Sequence, residues 1–211
     1  MKHLLKTLAI VLFFFSTCSN AAASKTYTVG FIPWEKPELI RSYYRPLLDY
    51  LSHKTGDKYN ILIPQTYEGL TEAMKRKEVD IAFYTSKSYV QAKKQLPNIK
   101  YMATHKTTAK NGKIYDYYLG VIIARKDSNI KTLEDLKGKT FGFTNVNSGS
   151  GFAYPSSMLR RKGIDYKTYF SKVLWLEKHH RITGAVAKKS IDAGATWDQN
   201  FDAAKIEYGD I

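Results

Sequence analysis

The chain has 211 residues, 44% hydrophobic and 25% charged, a composition ordinary for one large globular domain or two small lobes. Its net charge is +14, but the basic residues come only in short runs, at 75–77, 160–162 and 188–189, so the sequence carries no nucleic-acid tail. A diffuse positive field of this kind favours anionic small molecules or an anionic membrane surface.

The first 23 residues read as a secretory leader rather than fold. Lys2 and Lys6 precede an apolar run at 8–15, too short to remain as a spanning helix. Ala21 and Ala23 form an A-x-A cut site, which makes Ser24 the mature start. The competing reading is a lipid on Cys18, for which the preceding "FST" is a poor match. Cys18 is the only cysteine; a cut after Ala23 excludes disulfides, Cys-bound zinc and a thiol nucleophile.

"YTVGFIPW" (27–34) predicts a strand, and 38–56 a helix with Leu39, Tyr43, Leu47, Tyr50 and Leu51 at three- and four-residue spacing and Gly56 as its stop. Pro46 inside that pattern predicts a kink or restart. Strand 59–66, helix 67–79, strand 80–86 and helix 87–96 follow. This alternation predicts a parallel sheet with helices packed on it, and ligands in such sheets bind beyond the carboxyl ends of strands. Those ends are "IPWE" (32–35), "PQTY" (64–67) and "YTSKS" (84–88).

Residues 98–107 read as another strand and 109–113, with Asn111 before Gly112, as a tight turn. "YDYYLGVIIARKDS" opens the second lobe. A short helix over 132–139, capped by Thr132 and stopped by Gly138, leads to strand "TFGFT", a small-residue loop, and helix 156–164. Strand 170–176, helix 181–190 and strand 191–199 complete the pattern, and no clear element follows Phe201.

The loop "NVNSGSGF" (145–152) poses the main chemical question. Small residues let successive N–H groups converge on one spot, and serine hydroxyls add donors, which is what a phosphoryl-type anion needs. The bland alternative is a flexible strand-to-helix connection. Pro155, as an early helical residue, leaves the loop alone to supply the amides.

These segments, with "SYYRPLLDYLSHKTG", "DIAFYTSKSYVQA", "TLEDLKGKTFGF", "NSGSGFAYP" and "HHRITGAVAKKSIDAGATWD", occur in order. Together they resemble the periplasmic substrate-binding proteins of phosphonate, phosphite and phosphate ABC transporters. The resemblance implies an α/β, two-lobed periplasmic-binding-protein-like fold, with ligand between lobes at 24–115 and 116–201. Residues 202–211 are then a truncated return segment, and hinges fall near 106–117 and after Phe201. It further implies that Ser148, Gly149, Ser150 and Gly151 hold the oxyanion, although Gly149 stands where the family loop carries a hydroxyl. Tyr44, Tyr84, His179 and Asp198 are the other implied ligand contacts, with His180 the neighbour alternative to His179.

The expected partners are a small oxyanion or organophosphonate and an ABC permease; nucleic acid and cofactors are not expected. A membrane enters only through the permease or a lipid on Cys18. His179 and His180 make a poor metal pair, because adjacent helical side chains diverge by about 100°. A histidine beside an anion is expected to have a raised pKa and to donate a charge-assisted bond. No G-x-S-x-G, H-E-x-x-H or P-loop lysine pattern occurs, so no catalysis is expected. The rival classes are a sensor module, a degenerate product that binds nothing, and a secreted phosphoester hydrolase.

Overall fold

The structure, a computed structural model, describes residues 23–108, 112–209 and 211. The expected leader up to residue 22, Cys18 included, and the turn residue Asn111 lie outside the described residues.

Strand β1 (Thr26–Phe31), helix α1 (Pro37–Thr55), β2 (Lys58–Leu62), α2 (Tyr67–Lys75), β3 (Ile81–Phe83) and α3 (Ser86–Gln95) alternate along the chain. The three strands form one parallel sheet in the order β2-β1-β3, with Val29 opposite both Ile61 and Ile81. Val29 and Phe31 pack on Ile40 and Leu48 of α1. Ile32 packs with Tyr67, Leu70 and Ala73 of α2 on the other side.

Helix α1 differs from expectation in two ways. It runs unbroken through Pro46. Proline removes the bond to the carbonyl of Ser42, but both residues are exposed, so water replaces the missing partner. Its core face is also offset by one position. Ile40 and Leu48 are buried, whereas Tyr43 and Tyr50 are 61% and 58% exposed. Both stripes share the same spacing, and only the sheet decides which one it covers.

Two-residue strands β4 (Thr107–Thr108) and β5 (Ile114–Tyr115) pair antiparallel. The strand expected over 98–107 shrinks to that ladder, and residues 101–106 are irregular and exposed. With no neighbouring strand, their backbone groups are hydrated instead.

The second half contains β6 (Gly120–Ala124), β7 (Thr140–Phe143), α4 (Tyr154–Arg161), α5 (Tyr166–Tyr169), β8 (Lys172–Trp175), α6 (His179–Ala187), β9 (Ala193–Trp197) and α7 (Asp198–Tyr208). The sheet order is β6-β9-β7-β8, with β6 antiparallel to β9 and the other pairs parallel. Phe141, Phe143, Leu159 and Phe170 fill its core. The expected helix at 132–139 is a single 3-10 turn, Glu134–Leu136. Thr132 still accepts the Asp135 amide at 3.3 Å, and Gly138 has φ 72°.

The chain after Phe201, where no element was expected, is helical. Helix α7 follows β9 directly and packs on α6. Phe201 joins the cluster of Ile123, Ile182, Val186 and Ile191. Along α7 the buried residues are Asn200 and Ala204, too faint an apolar stripe to read from sequence.

Strand exits of the two sheets meet. The carbonyl of Trp34, just past β1, accepts the His179 amide at 3.4 Å, and the Trp34 ring meets Trp197 edge-on at 5.5 Å. The fold is therefore two-lobed α/β, with a seam between the carboxyl ends of its sheets.

Candidate functional site

The corner between β7 and α4 lies in this seam. A π turn, Gly149–Ala153, connects Ser148 to α4. Proline explains the widened turn in part. Pro155 has no N–H for the carbonyl of Gly151, which instead accepts the Thr144 amide at 3.2 Å. Gly151 is required, because a Cβ there would stand 1.7 Å from Thr144 Oγ1.

Ser148 and Ser150 are 1% and 2% exposed. The Ser148 hydroxyl accepts the Gly151 amide at 3.0 Å. The amides of Gly149 and Ser150 head the turn, so they have no intrahelical acceptor. The Ser150 hydroxyl lies beside the Tyr118 hydroxyl. A Cβ at Gly149 would be 3.2 Å from that same Tyr118 hydroxyl and 3.1 Å from the Tyr154 ring. Tyr118 thus brings a hydroxyl against the backbone of residue 149.

His179 is buried at 3% exposure, and with no anion beside it its pKa is lowered, not raised. Loss of hydration holds it down at about 4, with Glu35 opposing the shift and His180 adding to it. Its Nδ1 is 2.9 Å from Thr196 Oγ1, and Thr196 donates to Asn200 Oδ1 at 2.8 Å. Its Nε2 is 3.5 Å from the Ser148 hydroxyl. Asp198 begins α7 half-buried. Its amide donates to Leu119 O at 3.0 Å, its carboxylate accepts the Gln199 amide at 3.0 Å, and it is near Tyr118.

Tyr44 and Tyr84 are not brought to the corner. Tyr44 stacks on Phe31 at 4.2 Å and approaches Phe83 and His105 at 5.1 and 6.0 Å, within the first lobe. The Tyr84 hydroxyl turns into α2, against Thr71 Oγ1 at 3.2 Å and Met74 Sδ at 3.4 Å.

Tyr67 is the first-lobe tyrosine at the site. It opens α2 after the Thr66 cap, which accepts the Gly69 amide at 3.1 Å. Its ring packs in the core, and its buried hydroxyl faces Ser148 without a hydrogen bond of good geometry. Ser148 and Tyr118 are its neighbours, and burial raises its pKa far above the usual value. The sequence did contain a signal: residues 64–67 are a strand exit on the sheet side where ligands sit. The Thr144 hydroxyl is also buried without a partner.

Other cross-seam contacts surround this corner. Buried Glu35 meets His180 Nδ1 and accepts the Lys36 amide at 2.8 Å. Asn147 donates to Glu68, and Lys87 to the Val146 carbonyl. Ser86 and Tyr154 hydroxyls are 3.2 Å apart. Within the second lobe, Asn145 donates to Glu177 at 2.7 Å. The corner is therefore lined by neutral donors, with acceptors at His179 Nε2 and nearby carboxylates. Among the described residues no group of three His, Cys, Asp or Glu side chains is placed to hold a metal. An open cleft of about 700 Å³ lies outside the corner along α4, lined by residues including Lys87, Phe152, Arg160 and Tyr166.

Residues 29–210 match the family model described as ABC transporter, phosphonate, periplasmic substrate-binding protein. The chain is 30% identical over 194 residues to the phosphate-import protein PhnD of Mycolicibacterium smegmatis, covering 89% of this chain and 60% of that one. It is 29% identical over 185 residues to the phosphonates-binding periplasmic protein of Escherichia coli, covering 86% and 53%. The chain thus spans between about half and three-fifths of these relatives' lengths. A solved binding protein component of an ABC phosphonate transporter from Pseudomonas aeruginosa superposes with TM-score 0.73 at 26% identity, over 87% of this chain and 61% of that one. PhnD1 of Prochlorococcus marinus, solved with methylphosphonate, shares the fold at TM-score 0.71 and 22% identity, over 84% and 65%. With the sheets, the seam and these matches in agreement, the chain belongs to the family of periplasmic substrate-binding proteins of phosphonate ABC transporters.

Proposed function

We propose that this chain captures a small phosphonate, phosphite or phosphate in the seam and delivers it to an ABC permease from the periplasmic side. The observation that carries the reading is the buried corner at 148–151, whose hydroxyls and leading amides sit beside the buried hydroxyl of Tyr67. Oxygens of a tetrahedral anion would take bonds from Ser148, Ser150, Tyr118 and Tyr67 and from the amides of Gly149 and Ser150. Neutral donors in a buried site suit an anion of low charge, since every bond to a charged acceptor is strengthened there. His179 and Asp198 supply acceptors for a ligand proton. Tyr44 and Tyr84 act through packing of the first lobe. Residues 24–115 and 116–201 move as the two lobes about a hinge near 106–117, and the helix that includes residues 202–208 travels with the second lobe.

Catalysis is not part of this reading. Ser148 and His179 resemble a nucleophile and base, but neutral Thr196 rather than a carboxylate faces Nδ1, so an imidazolium formed there would have no carboxylate hydrogen-bonded to Nδ1. A pKa of about 4 also makes His179 a weak base at neutral pH. A chromogenic phosphate ester should not turn over.

The test is a thermal-shift panel of phosphate, phosphite, methylphosphonate, aminoethylphosphonate and sulfate. A true ligand at 100 times its dissociation constant adds about 2.7 kcal/mol of stability. No shift with any phosphorus oxyanion would end the reading.

A further inference from the structure

We propose that Thr196 and Asn200 are positioning residues that fix His179 as a hydrogen-bond acceptor, so that the site prefers an oxyanion carrying a proton, a P–O–H, over one carrying none. This rests on the function proposed above and names its substrate class: phosphoryl monoanions with one ionisable proton left, as against sulfate or a sulfonate.

Asn200 Oδ1 can only accept, so the 2.8 Å contact is a bond from the Thr196 hydroxyl. Thr196 has spent its one proton and offers only lone pairs to His179 Nδ1 at 2.9 Å. Nδ1 therefore carries the ring proton. In the neutral ring Nε2 is then a bare acceptor, and burial keeps the ring neutral, with a pKa of about 4.

Nε2 points at Ser148, whose oxygen already accepts the Gly151 amide at 3.0 Å. The Ser148 proton is the contact available to Nε2, at a long 3.5 Å. Nε2 is thus an under-used acceptor amid donors. A fully ionised anion brings only lone pairs, which repel that of Nε2. A P–O–H satisfies it while the other oxygens take the surrounding donors. An acceptor that penalises the unprotonated competitor is how such a site discriminates.

The groups that face this cluster are Glu35 from the β1–α1 connection, Tyr67 on α2, Tyr118 before β6, Glu177 and His180 beside His179, and Asp198 on α7. Their titration bears on any pH profile, so the first readout does not depend on ligand. Imidazole nitrogen NMR of the labelled chain at pH 7 should show His179 with a protonated Nδ1 and a bare Nε2. Thr196→Val should release the ring to the other tautomer, and Thr196→Ser should restore it. A wild-type ring protonated on Nε2 overturns the proposal, with no variant required.

The second readout is calorimetry with methylphosphonate and sulfate. Wild-type affinity for methylphosphonate should fall about tenfold per pH unit above the ligand's second ionisation, the slope of one linked proton. Thr196→Val should flatten that slope and narrow the preference over sulfate at least about tenfold, while Thr196→Ser keeps both. An unchanged slope and preference in Thr196→Val overturns the selectivity. If the tautomer is as stated but no phosphorus oxyanion binds wild type, the proposed function has failed and the selectivity falls with it. If phosphonate binds but the tautomer is wrong, the function stands and only the relay falls.

Discussion

The two sides of the seam are built differently. On the second-lobe side, polar groups are tied to one another: Ser148 to Gly151, His179 to Thr196, and Thr196 to Asn200. The first bond holds the π turn and the others link α6, β9 and α7, so that side is set within one lobe. The first-lobe side sends single groups across: Glu35 to His180, Glu68 to Asn147, Lys87 to Val146, and Tyr67 with its hydroxyl unpaired. The contrast suggests a division of labour. One lobe holds a preorganised cradle, and the other supplies contacts that can be made and broken as the lobes move.

The sharpest way to break this comparison is at the cradle's backbone. Gly151→Ala places a methyl 1.7 Å from Thr144 Oγ1, and should cost about 3 kcal/mol or more in chemical denaturation. A near-neutral result would mean that the cradle is soft.

The buried histidine gives an effect of similar size through pH. The unfolded chain protonates His179 near pH 6.5, whereas the folded chain does so only near 4. Between those values the unfolded state binds the extra proton. Stability is therefore full above about 6.5 and falls by roughly 3 kcal/mol as pH drops towards 4. Asp192, held low by bonds from Thr140, loses its contribution only at lower pH. Denaturation curves at pH 7 and 4.5 measure this, and a flat profile would contradict a buried neutral ring.

On the first-lobe side, Tyr67→Phe removes a buried, unpaired hydroxyl. Stability should hold or rise, while methylphosphonate binding weakens by about 1 kcal/mol. Loss of stability instead would mean that the hydroxyl is already bonded within the protein. The smallest binding effect belongs to Tyr84→Phe. It should cost about 1 kcal/mol of stability through the lost Thr71 contact and leave the dissociation constant unchanged.

The same division explains what was readable in the sequence. The parallel first sheet follows from local strand–helix alternation, and the corner from small residues between β7 and α4. His179 was reached through the family resemblance, but its ionisation was not, because that depends on burial and on Thr196, 17 positions away. Tyr67, Tyr118 and the cross-seam contacts join distant segments; Glu68 and Asn147 are 79 positions apart. No local pattern encodes such a meeting. Tyr44, inside α1, and Tyr84, at the exit of β3, turn into their own lobe here, and local sequence does not set which way such a ring turns. The apolar stripe of α1 was misplaced because Leu39, Tyr43 and Leu47 repeat at the same period as Ile40, Tyr44 and Leu48. Helix α7 was missed because the few side chains it buries include a polar one, Asn200.

The central claim is that the corner at 148–151 grips the ligand, and calorimetric titration of methylphosphonate into wild type and Ser150→Ala tests it most directly. The account predicts binding by wild type and a dissociation constant roughly tenfold or more weaker in the variant, the loss of one bond to a charged acceptor. Equal dissociation constants for the two proteins would contradict it.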